Sequence, residues 1–360
     1  MIVKNISLVK NISFMTMFII LIALCSLFAF RTTAMAEAQY KIAVVVPGGT
    51  TGPFWKMVEK GLNDMAANYS DVELAYHGSK HDNVEQFLNI LQSVIASKPD
   101  TVVCPLIDPM YMDEILRPAI AKGLPVIAIH AADLREPAES RIPILAYIVE
   151  DSYMFGKTAA QETLQRFKPK RAIFCNHAMG TEKINALGRG WVETMQAAGI
   201  TAEQLNVAAS GGGFGTELLA AYLLSKPDTD TIFTADFGRT LAFIMRLKAD
   251  GYQIGKEINI IQLGSDEPIV LDFIKQGQIA FALDQQPYLQ AYLGAMLAYV
   301  HLKHGFTPAQ KSFMTPPVVI TQENMTDMPI FKLPGSLLDN LRSAGIPEDI
   351  LKDLQSLEDK

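Results

Sequence analysis

From residue 40 onward, short β-branched apolar runs alternate with stretches in which apolar side chains recur every third or fourth position. The first run, KIAVVV at 41–46, precedes a helical pattern over 53–68. Strand 72–76, helix 83–97, strand 101–104, helix 110–122 and strand 125–129 follow. After a polar break the plan repeats: helix 152–165, strand 171–175, helix 182–198, strand 205–208, helix 216–224, strand 231–234, helix 239–250, strand 258–263, helix 268–276 and strand 279–283. Regular βα alternation predicts parallel sheets covered on both faces, hence an α/β fold of two doubly wound parallel-sheet lobes. The stretch FALDQQPYLQAY (281–292) organises the rest: an apolar strand, a polar elbow of Asp284, Gln285 and Gln286, then Pro287 opening a strongly apolar helix over 288–303. That helix suits a missing layer of the first lobe. The chain then crosses between lobes near 146–150, 284–287 and 315–321, which makes a three-strand hinge beside a cleft. The expected domains are 40–147 with 286–316, 148–285 with 317–335, and a helical tail at 336–360.

The N-terminus changes this picture. Lys4 and Lys10 precede an uncharged run over 11–30, and Ala34-Met35-Ala36 gives an A-x-A pattern before Glu37, so residues 1–36 read as a cleaved secretory signal peptide, with a retained anchor helix as the alternative. Leu24 before Cys25 argues against lipidation there. Export to the periplasm is the expected address. Cleavage would remove Lys4, Lys10 and Arg31 and no acid from the chain's 31 basic and 38 acidic residues, for a net charge of about −10; nucleic acid is not an expected partner. Cys104 and Cys175 each lie in an apolar run of a different half and read as buried thiols.

Catalytic signals are weak. No GxSxG, HExxH, Walker loop or GxGxxG follows a strand, and no catalytic residue, metal ligand or cofactor is assigned. The run Ser210 to Gly215 lacks the Lys-Ser/Thr step of a phosphate cradle and reads as a turn. Binding signals fall at strand ends, where an open α/β sheet gathers ligand contacts. The loop PGGTTGPFW (47–55) brings glycines and the adjacent aromatics Phe54 and Trp55, whose faces suit the C–H face of a sugar ring; one of the two is expected to be core. His130 and Asp133 follow the fourth strand, Asn176 the first strand of the second lobe, and Phe214 lies in the glycine loop. Asp236 and Asp266 follow later strands, each just before a helix, where an N-cap aspartate is common. With Gln285 they would line one cleft suited to a neutral polyol, because carboxylates and amides match hydroxyls that both donate and accept.

The chain resembles a type I periplasmic solute-binding protein of the simple-sugar group that feeds ABC importers. The resemblance rests on GPFW (52–55), LAYIVEDSYMFG (145–156), FCNHAMG (174–180), GRGW (188–191) and ALDQQPYLQAYL (282–293). It implies that Phe54 and Trp55 sandwich the sugar, that Phe214 is the second-lobe aromatic, and that Asp236, Asp266 and Gln285 bind ligand, with Glu150 at a hinge position able to reach it. A second-lobe arginine of the family aligns near Asn185, with Arg189 one turn later. Ribose-type members carry Asp-Arg where this chain has His130-Ala131, and Gly-Phe-Asp becomes Gly264-Ser265-Asp266. Losing a bidentate guanidinium changes which hydroxyl geometry is paired, so another pentose, a tetritol or a deoxy sugar stays open. The resemblance implies a monomer that binds a small sugar or polyol and docks on a membrane permease, without covalent chemistry. The first loop is also similar to the autoinducer-2 receptor, whose partner is a membrane histidine kinase. An enzyme using Asp236, Asp266, Glu150 and His130 as acid and base is the remaining alternative, although no nucleophile with an adjacent base can be assigned.

Overall fold

The computed structural model describes residues 39–48, 52–79, 83–208, 214–265, 268–325 and 335–356; the expected signal peptide lies outside them. The first series is β1 (Tyr40–Val46), α1 (Pro53–Asn68), β2 (Val72–Gly78), α2 (Val84–Ala96), β3 (Thr101–Cys104), α3 (Pro109–Ala121), β4 (Val126–His130) and β5 (Ala146–Glu150). The second is α4 (Ser152–Arg166), β6 (Arg171–Asn176), α5 (Glu182–Ala197), β7 (Thr201–Asn206), α6 (Thr216–Ser225), β8 (Thr229–Thr234), α7 (Phe237–Ala249), β9 (Asn259–Leu263), α8 (Pro268–Lys275) and β10 (Phe281–Asp284). Then come α9 (Pro287–His304), β11 (Ser312–Thr315), β12 (Val318–Ile320), α10 (Gly335–Ser343) and α11 (Glu348–Gln355).

These strands form two six-stranded sheets, ordered β11-β5-β4-β3-β1-β2 and β12-β10-β9-β8-β6-β7. Every pair is parallel except β10 with β12. Strand order reverses between β1 and β3 and again between β6 and β8, so each lobe has a crevice at the carboxyl ends of those strands. Both sheet faces are covered, which explains unbroken apolar strands. Along β1, Ile42, Val44 and Val46 join one core with α1, α9, α10 and α11, while Ala43 and Val45 join another with α2 and α3. Along β6, Ile173 and Cys175 pack with α6, α7 and α8, and Ala172 and Phe174 with α4 and α5.

The helix opened by Pro287 is buried on all sides from Pro287 to Val300 and belongs to the core of the first sheet. Three chain passages connect the lobes, at 150–152, 284–287 and 315–318, and side chains tie them together. Gln290 donates to Thr315 Oγ1 (2.9 Å) and to the Gln285 carbonyl (2.8 Å), Gln286 donates to the Pro316 carbonyl (2.8 Å), and Thr315 donates to the Val149 carbonyl (3.4 Å).

The predicted strand at 205–208 lies earlier, at Thr201–Asn206. It is an edge strand with several exposed polar positions, so it carries no apolar run to announce it. Strands β5, β11 and β12 occupy the crossings, and β11 and β12 are edge strands of three or four residues. No helix of the described residues is long and apolar enough to cross a membrane.

Candidate functional site

The site is built where strand ends of both lobes face the hinge. In the first lobe, Gly52 and Pro53 open α1, whose first turn carries Phe54 and Trp55. Trp55 is buried in the core, while Phe54 is half-buried and packs edge-on against it, ring centroids 5.0 Å apart. His130 closes β4 in the left-handed region (φ 65°), and its ring lies 4.5 Å from that of Phe54 and 5.8 Å from that of Trp55. Glu150 ends β5 at the first hinge passage, and its carboxylate is almost fully buried. Gln285, in the second passage, donates to Glu150 Oε2 (2.6 Å), and Ser152 donates to Oε1 (3.4 Å).

The second lobe answers with Lys183, in the first turn of α5. Its ammonium lies 3.1 Å from Glu150 Oε1 and 3.4 Å from His130 Nε2. One side chain of the second lobe therefore reaches both the hinge carboxylate and the first-lobe imidazole. An ammonium only donates, so Nε2 of His130 accepts and its proton sits on Nδ1, a buried atom with no partner. Burial, with the Lys183 charge added, holds the His130 pKa well below the usual imidazole range.

Above the β6/β8 crevice, Asp236 caps α7 by accepting from the Arg239 N–H (2.7 Å). Phe214 is 48% exposed and its ring lies over Gly238. His177, directly after β6, has its pKa lowered by burial, with the Asp236 carboxylate opposing and the Arg239 guanidinium adding to the effect. Both His177 Nδ1 and Arg239 Nε are buried without a hydrogen-bond partner.

Other expected residues have their polar atoms engaged elsewhere. Asn176 is fully buried, donates to Asn185 Oδ1 and Gln204 Oε1 (both 2.9 Å) and accepts from the Ala178 N–H. Asn185 in turn donates to the Met179 carbonyl (2.8 Å), so this pair shapes the 176–185 loop. Asp133 accepts from the Ile142 N–H (2.8 Å) and from the Arg135 guanidinium (2.7 Å). Burial acts to raise its pKa, but those bonds outweigh it and hold the carboxyl below its usual value. Arg189 is exposed and paired with Glu182 (2.6 Å). Asp266 lies outside the described residues.

In the elbow itself, Asp284 accepts from Ser265 Oγ (3.0 Å) and from the Gln286 N–H, and burial raises its pKa. Sequence reasoning looked for a second-lobe cation at Asn185 and Arg189. The structure brings Lys183 and Arg239 instead, each in the first turn of a helix that follows a strand end of the second lobe. That position was the available signal.

The comparisons agree with this architecture. Residues 42–305 match the family model described as periplasmic binding protein domain. The xylose/arabinose-binding protein XylF of Sulfolobus acidocaldarius is 26% identical over 262 residues, covering 70% of this chain and 64% of that protein, so the match spans under two thirds of that relative's length. Among solved structures, an ABC transporter solute-binding protein from Agrobacterium vitis bound with α-D-tagatopyranose is 26% identical at a TM-score of 0.69, covering 81% of this chain and 97% of that one. A periplasmic ribose ABC transporter structure from Conexibacter woesei is 17% identical at a TM-score of 0.70, covering 82% and 96%, and shares the fold. Two parallel-sheet lobes, a three-passage hinge and a family match over most of the chain lead to one assignment: this chain belongs to the periplasmic binding protein domain family.

Proposed function

We propose that this protein captures a small sugar or polyol between its two lobes and delivers it to the membrane permease of an ABC importer, acting as an exported, monomeric carrier without covalent chemistry. The observation that carries the reading is Lys183, which spans from the second lobe to Glu150 and His130. The carboxylate and the imidazole, with the half-buried Phe54 against the imidazole, thereby lie where the two lobes meet. Aromatic faces beside carboxylate and amide groups suit a ring that carries hydroxyls. A relative named for xylose and arabinose binding and a similar solute-binding protein solved with bound α-D-tagatopyranose support the same class. Ligand that bonds to both lobes favours the closed arrangement through that differential contact, and a permease can read the closed form.

A thermal-shift screen of the purified protein against pentoses, hexoses, tetritols, deoxy sugars and autoinducer-2 tests this. A ligand that binds only the folded state raises the midpoint by mass action, so a sugar or polyol hit at micromolar concentration is the expected result. No shift with any of them, in protein unfolded and refolded to strip bound ligand, overturns the reading.

A further inference from the structure

Among the described residues, the second-lobe strand ends hold two buried donors without acceptors. Arg239 sits in the first turn of α7, over the point where the second sheet reverses its strand order. Its backbone N–H caps onto Asp236, but its guanidinium has no ion-pair partner within 4.0 Å among the described residues, and its Nε is buried without an acceptor. His177, across the same crevice after β6, likewise buries Nδ1 with no partner. The half-exposed ring of Phe214 lies beside them, over Gly238 and close to Asp236. Lys183, the other second-lobe cation near the cleft, is already neutralised by Glu150.

A guanidinium left unpaired in a partly buried site is unfavourable until a partner arrives, and its planar fork matches a carboxylate in bidentate fashion. Neutral hydroxyls would satisfy the N–H groups but bring no charge to the guanidinium, whose nearest carboxylate, Asp236, is engaged in capping α7. We propose that Arg239 and His177 form a carboxylate subsite, and that the ligand is a sugar acid, an aldonic or uronic acid, whose carboxylate is held by the second lobe while its hydroxylated carbons face Phe54, His130 and Glu150. This rests on the sugar-binding reading and narrows it. It also gives a reason for the cation's place: moved from position 185 to 239, it serves a carboxylate at the β6/β8 crevice instead of a ring hydroxyl.

Calorimetric titration of the purified protein with matched pairs tests the assignment: D-xylose against D-xylonate, D-galactose against D-galactonate and D-galacturonate, L-arabinose against L-arabinonate. The expected result is that at least one acid binds about tenfold or more tighter than its neutral partner, the scale of one charge-assisted hydrogen bond. Arg239→Gln, which keeps an amide donor and loses the charge, should collapse that ratio. Neutral sugars binding as tightly as their acids, or an Arg239→Gln variant that keeps the full preference, overturns the carboxylate subsite and leaves the sugar reading standing. Binding of neither class overturns both.

Discussion

At the scale of single residues, the two aromatics of the first loop divide their work. Trp55 packs with Val58, Leu62 and Tyr288 in the first-lobe core, whereas Phe54 keeps an open face beside His130. Phe54→Ala should therefore lower stability clearly less than Trp55→Ala and weaken sugar binding by about 0.5–1.5 kcal/mol, the scale of one aromatic contact. Trp55→Ala empties a core position and should cost about 3 kcal/mol or more of stability. Equal stability losses in the two variants would contradict this division. Adjacent aromatics opening a helix are plain in the sequence, but which of them faces in depends on the angle at which α1 meets α9, which no local pattern encodes. Asn176 and Asp133 fail to declare themselves for a related reason. A polar residue at a strand end looks the same whether its partner is a ligand or, as here, Asn185, Gln204 and Arg135. Lys183 and Arg239 are cations on otherwise ordinary helices, and only the closeness of Glu150 to one, and the lack of an ion-pair partner for the other among the described residues, marks them.

At the scale of elements, the motif GRGW has a packing cause. A Cβ on Gly190 of α5 would lie 2.0 Å from the Tyr153 carbonyl oxygen of α4, and one on Gly156 of α4 would lie 1.9 Å from the Leu187 carbonyl oxygen of α5. The two helices thus cross at backbone contact through reciprocal glycines, and Trp191 is buried directly beside the crossing. This crossing fixes the height of α5 and hence where Lys183, in its first turn, meets Glu150. Gly190→Ala must push the helices apart, since backbone atoms cannot swing aside. It should cost about 2–3 kcal/mol of stability by overpacking and, by lifting Lys183, weaken ligand binding as well. Urea denaturation and calorimetry on the same variant check both parts; a stable variant with native affinity would show that the crossing does not set the site. Most strands and helices were legible because burial on both sheet faces leaves unbroken apolar runs and 3.6-residue periods. The edge strand β7 and the short strands β11 and β12 were not, because an edge needs neither an apolar run nor length to pair.

At the scale of the whole molecule, His130 of one lobe lies against Lys183 of the other, so a motion that parts the lobes is linked to protons. The groups facing His130 are the Lys183 ammonium at 3.4 Å and the rings of Phe54 and Trp55, with the Glu150 carboxylate behind Lys183. Burial is the larger cause of the depressed His130 pKa and the Lys183 charge the smaller. Parting the lobes would remove the ammonium and part of the burial, so an open state would take up a proton more readily than this one. The sign follows from linkage: closure is at full strength above the ordinary imidazole pKa of about 6.5 and weakens as pH falls below it, by at most about 1.4 kcal/mol per pH unit for this one group. Affinity for the best-binding sugar, measured by calorimetry, should therefore be flat from pH 8 to 7 and fall between pH 6.5 and 5, by up to about tenfold per unit. His130→Gln should flatten most of that fall. Lys183→Met should remove only the smaller, charge-borne share of it while lowering affinity at every pH, since it leaves the Glu150 carboxylate buried beside Gln285 without its cation. Affinity that holds constant down to pH 5 would mean that the imidazole keeps the same surroundings in both states, and that the lobes close without bringing Lys183 to His130.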